Sequence, residues 1–176
     1  MNHHDHVNLL RAGVPTIGGV WADLGSGAGA FTLALADLLG GAGGIYSVDK
    51  DAGALREQER TMRVRFPNAV VHYHVADFTT PLDMPLLDGV IIANALHFTR
   101  EKAHVVQSIK SYLRPDGRLI LVEYNVDRGN TWVPYPLSYS TWELLAQSCG
   151  FISTKLLATV PSRFLGEIYS ALSLQS

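Results

Sequence analysis

The sequence predicts an α/β fold: a seven-stranded, mostly parallel sheet between two helical layers, with one antiparallel strand near the C-terminus. Three observations lead there. Strand-like and helix-like runs alternate along the chain with little left over between them. The run Gly89-Val90-Ile91-Ile92-Ala93-Asn94 is apolar almost throughout, as in strands buried on both faces of a parallel sheet. The last two strand-like runs, Phe151 to Val160 and Gly166 to Leu174, lie too close together for a crossover and so read as a hairpin.

In chain order, Met1-Asn2-His3-His4-Asp5-His6 is polar where a signal peptide would be apolar, and it reads as a frayed terminus rather than a metal site. A short helix is expected around Val7 to Ala12. The apolar run Val20-Trp21-Ala22-Asp23-Leu24 then meets three alternate glycines, Gly25, Gly27 and Gly29, and a helical pattern from Ala30 to Leu39 follows at once. That is strand, tight turn, helix. Gly40 to Gly44 stops this helix, and Ile45 to Asp49 is a second strand. Leu55, Met62 and Phe66 share one helical face, which must end by Pro67, while the charges on the other face suit a solvated surface.

Ala69 to Asp77 is rich in β-formers and makes a third strand, with Gly89 to Asn94 as the fourth. Thr99 is placed to cap a helix bearing Ala103, Val106, Ile109 and Leu113, and Arg114-Pro115-Asp116-Gly117 closes it. Arg118 to Glu123 is the fifth strand. A loop with Trp132, Tyr135 and Tyr139 precedes a helix capped by Ser140 or Thr141 that carries Trp142 in the core and stops at Gly150.

At 176 residues, 47% hydrophobic and 17% charged, the chain is expected to form one domain over 1–176, with 1–13 as a short extension and no separate cap domain. A net charge of −2 and a pI near 6.4 give no overall reason to expect nucleic acid as a partner. No apolar run is long enough to span a membrane, and the single Cys149 cannot form an internal disulfide. A cytoplasmic protein without a metal is the expectation.

Ligands of open α/β sheets bind beyond the carboxyl ends of the strands. Here those ends carry Asp23 with Gly25, Gly27 and Gly29, then Asp49, Asp77 and Asn94. Three carboxylates would repel a phosphate-rich ligand. They suit vicinal hydroxyls, an exocyclic amine and a positive centre. The glycine turn with Asp49 about 20 residues on also satisfies a loose dinucleotide pattern. A nicotinamide-dependent oxidoreductase therefore stays open as an alternative, as does a non-catalytic cofactor-binding module or partner subunit.

Taken together, these residues resemble the class I S-adenosylmethionine-dependent methyltransferases, a Rossmann-like family, over Val14 to Leu172. Asp23-Leu24-Gly25-Ser26-Gly27-Ala28-Gly29 is similar to the family's first motif. The resemblance implies that this turn holds the methionyl end of S-adenosylmethionine, that Asp49 binds the ribose with Lys50 beside the adenine, and that Asp77 and Phe78 meet the adenine. Asn94-Ala95-Leu96-His97-Phe98 is similar to the fourth motif, where the chain passes the donated methyl group. It lacks the paired prolines of enzymes acting on DNA bases or glutamine amides, and looks more like small-molecule methyltransferases, including quinone-biosynthesis C-methyltransferases.

Methyl transfer is an in-line displacement, so positioning supplies much of the acceleration and no protein nucleophile is needed. If the acceptor must lose a proton, His97 is the leading base, because imidazoles titrate near neutrality. Glu123 and Tyr124 end the fifth strand and could face a small-molecule acceptor, with Tyr124 a second catalytic candidate. Only about 19 residues precede the first strand, too few for the helical cap of many small-molecule members. The acceptor pocket is then open, closed by the aromatic loop, or walled by a second copy in a homodimer.

Overall fold

The computed structural model describes residues 1–15 and 17–176. Its centre is built by simple alternation. Along the middle strands successive side chains point to opposite faces, so each apolar run feeds two cores at once. In β4 (Leu87–Ala93) Val90 and Ile92 enter one core while Ile91 and Ala93 enter the other. In β5 (Leu113–Tyr124) Leu119 and Leu121 are divided from Ile120 and Val122 in the same way. One core lies under α1 (His3–Arg11), α2 (Ala30–Leu39) and α3 (Ala52–Arg65), the other under α4 (Lys102–Tyr112) and α5 (Tyr139–Ser148).

The sheet has seven strands in the order β3-β2-β1-β4-β5-β7-β6, where β1 is Gly19–Leu24, β2 Gly43–Asp49, β3 Val70–Val75, β6 Ser153–Ser162 and β7 Gly166–Leu174. β1 to β5 are parallel, and β7 runs antiparallel to both β5 and β6. The predicted α/β class, parallel sheet and single reversed strand all hold. Strand order reverses between β1 and β4, which opens a crevice at their carboxyl ends.

Several boundaries differ from expectation. The N-terminus is not frayed: Asn2 and Asp5 form a capping box, with Asp5 N–H donating to Asn2 and Asn2 N–H to Asp5, so α1 begins at His3. His3 and His6 pack onto α2, with His6 over Phe31 at 4.7 Å and His3 Nε2 3.2 Å from Asp37. Thr99 does not cap α4. It follows a short 3₁₀ turn, Leu96–Phe98, and Lys102 Nζ instead donates to its carbonyl at 2.7 Å. Ser138 rather than Ser140 or Thr141 caps α5, accepting from Thr141 N–H. No helix among the described residues is long and apolar enough to cross a membrane.

Candidate active site

The crevice holds a cavity of about 580 Å³. Each wall comes from a strand end. After β1 the chain turns through Gly25 and Gly27, both at positive φ. A Cβ on Gly25 would come within 2.5 Å of the Ala95 methyl, so only glycine lets the first turn lie against the segment after β4. Gly25 and Ser26 N–H both donate to Val48 O of β2, which pins the turn to the neighbouring strand.

Seven of the anticipated residues line this cavity: Gly25, Gly27, Asp49, Lys50, Asp77, Phe78 and Asn94. Asp49 reaches back under the turn, one carboxyl oxygen accepting from Gly27 N–H at 2.8 Å and the other from Asp51 N–H at 2.8 Å. Asp77 also shapes its own turn, since Oδ1 accepts from Thr79 N–H and Oγ1. Those two bonds hold its carboxyl below the usual range, so it is ionised at neutral pH. Asn94 takes φ 52°, and its Oδ1 is buried without a partner among the described residues. Such an acceptor is costly to leave bare and suits a ligand N–H donor.

Other expectations need correction. Asp23, expected on the ligand rim, does not line the cavity. Strand alternation turns it toward α2, where it is 1% exposed and accepts from Thr32 Oγ1 at 2.6 Å. Burial pushes its carboxyl up to about 7, with nearby Asp49 adding to the rise and the Thr32 bond opposing it. The acidic rim thus has two carboxylates, not three. Ser26 and Gly29 also lie behind the wall. Ser26 Oγ turns down to Ser47 Oγ, 2.8 Å away, and Gln58 Oε1 accepts from Ser47 Oγ at 3.0 Å. A Cβ on Gly29 would collide with the Gln58 side chain.

Gln58 was missed in the sequence. It is fully buried on α3, and its Nε2 has no partner among the described residues. Ala76, Thr79, Ala95, Phe98 and Thr99 are further lining residues, carried by the same strand ends.

His97 and Tyr124 do not line the cavity; His97 adjoins it through Phe98, whose ring centroid is 4.3 Å from that of His97, and Tyr124 lies behind, 6.1 Å from His97. His97 is 3% exposed and held by Glu123, which is fully buried. Both Glu123 oxygens approach His97 Nδ1, at 2.8 and 2.9 Å. The same carboxyl accepts His97 N–H at 3.2 Å and Tyr124 N–H at 2.9 Å. Glu123 thus holds the ring on its Nδ1 side while accepting two backbone N–H groups, and Nε2 is the ring nitrogen turned away from the carboxyl. The loop with Trp132 is tied above this pair, Tyr135 N–H donating to His97 O at 2.9 Å.

A Methyltransferase domain family profile matches residues 18–159. The chain belongs to that family. Among solved structures with the same class I methyltransferase fold, YcgJ of Bacillus subtilis is 12% identical with a TM-score of 0.78, over 98% of this chain and 99% of that one. The 1,6-didemethyltoxoflavin N1-methyltransferase of Burkholderia thailandensis, solved with 1,6-didemethyltoxoflavin and S-adenosylhomocysteine, is 16% identical with a TM-score of 0.75 over 99% and 78%. A Penicillium protein, the reducing polyketide synthase grgA, is 24% identical over 161 residues. That match covers 78% of this chain but only 6% of the polyketide synthase.

Proposed function

We propose that this methyltransferase carries a methyl group from S-adenosylmethionine to an acidic carbon of a small acceptor, with His97 removing the proton. The cavity suits that donor. Asp49 and Asp77 offer carboxylates to hydroxyls and an amine, the buried Asn94 Oδ1, unpartnered among the described residues, offers an acceptor to an ammonium, and the volume is ordinary for a nucleoside-sized ligand. S-adenosylmethionine, when bound, supplies an electrophilic methyl on a sulfonium.

The observation that carries the acceptor assignment is the buried His97–Glu123 pair beside the cavity. Glu123 fixes the ring by Nδ1, so Nε2 can accept a proton from an acceptor lying over Phe98. Carbon acids need such a base, because only the carbanion can displace sulfur from the methyl. As the C–H bond breaks, its proton goes to Nε2. The carbanion's electron pair then forms the new C–C bond, while the C–S electrons leave with sulfur. The Penicillium relative adds support, since polyketides as a chemical class contain carbons flanked by carbonyls.

The test is transfer of labelled methyl to acetylacetone. H97A is expected to lower kcat by roughly 10²–10⁴ and E123Q by on the order of 10², while both still bind S-adenosylhomocysteine. An H97A variant as fast as wild type would remove the base from the account.

A further inference from the structure

From Phe98 a row of rings continues across the rim, away from the cofactor cavity. His97 follows at 4.3 Å, Tyr124 lies 6.1 Å from His97, and Phe164 meets Tyr124 edge-on at 5.9 Å. The ends are open, Phe98 being 64% and Phe164 50% exposed, whereas His97 between them is buried. Phe164 sits in the turn between β6 and β7. Because β7 is antiparallel to both β5 and β6, β6 runs in the same direction as β5. Its carboxyl end, and hence this turn, therefore lies on the same rim as the cavity. The hairpin is fastened there, Asn125 N–H donating to Glu167 O at 2.9 Å and Asn125 Nδ2 to Glu167 Oε1 at 2.8 Å.

Phe98, Tyr124 and Phe164 bring apolar area without charge. Burial and the nearby Glu123 carboxyl push the Tyr124 phenol above its ordinary value, so it stays neutral. The exposed rings at the two ends, Phe98 and Phe164, with half-buried Tyr124 between them, offer flat contact to an alkyl or acyl chain and little to a polar head group. The row is also continuous with the cavity through Phe98, the one ring that belongs to both. We propose that this row holds the apolar tail of an elongated acceptor whose acidic carbon lies over Phe98 beside His97, and that Phe164 sets the preference for tail length. The inference rests on the carbon-acid reading above and adds the shape of its substrate.

The test compares acetylacetone with a homologue in which one terminal methyl is replaced by a hexyl chain. Both present the same acidic carbon, so their ratio of kcat/KM isolates the tail. Wild type should prefer the longer diketone, and F164A should reduce that preference by about tenfold through KM. Phe164→Leu, which keeps an apolar side chain on the turn, should retain most of it. Equal kcat/KM for the two diketones in wild type, or an unchanged ratio in F164A, would overturn the tail-binding role alone. Failure of wild type to methylate either diketone while still binding S-adenosylhomocysteine would instead overturn the carbon-acid reading, and this inference with it.

Discussion

Asp23 shows how one buried carboxyl turns architecture into pH dependence. Its carboxyl is raised from 3.8 to about 7 by burial. Between those values the folded protein keeps a proton that the unfolded chain has lost, so this residue's contribution to stability falls as pH rises through the window. At about 1.36 kcal/mol per unit, wild type should lose roughly 2–3 kcal/mol more than D23N between pH 5 and pH 8. Urea denaturation at several pH values measures this. Parallel curves for the two proteins would mean that Asp23 reaches solvent or a cation. The same residue marks a limit of sequence reading: the alternation of β1 says that Asp23 and Leu24 face opposite ways, but not which of the two faces meets the ligand.

At the scale of elements, the glycine turn is held from below by α3. Gln58 fills the space that a side chain on Gly29 would need, and it accepts from Ser47, which in turn reaches Ser26. Replacing Gln58 by Ala should leave the turn unsupported and weaken S-adenosylhomocysteine binding by about tenfold, or ~1.4 kcal/mol. Calorimetric titration reads this directly. A variant that melts earlier yet binds with wild-type affinity would confine Gln58 to packing. Nothing local in the sequence marks Gln58, which lies among Arg56, Glu57, Glu59 and Arg60, charged neighbours that suit the solvated face of the helix. The turn, the β4 run and the terminal hairpin were legible because glycine spacing, unbroken apolarity and short connection length are local signals. The cap of α5 was less so: Ser138, Ser140 and Thr141 are all capable, and the entry path of the chain chooses among them. The His97–Glu123 pair joins residues 26 positions apart, and each was visible only as the polar end of its own segment.

Over the whole molecule, the sheet divides the labour along its carboxyl rim. The ends of β1, β2, β3 and β4 form the cavity with Asp49, Asp77 and Asn94, while the end of β5 and the β6–β7 turn extend the surface past His97. Strand order makes this arrangement, because the reversal between β1 and β4 opens the crevice next to the strand that carries Glu123. On this rim, Asp49 and Asp77 are the proposed recognition groups for a cationic nucleoside donor and its product. Calorimetric titration of wild type and a D49A/D77A double variant with S-adenosylhomocysteine tests this assignment most directly. Saturable one-to-one binding to wild type is expected, stabilising the fold by ~2.7 kcal/mol at a hundredfold excess over Kd, with at least about a hundredfold weaker binding to the variant. Equal affinity in the two proteins, or no binding to wild type, would contradict it.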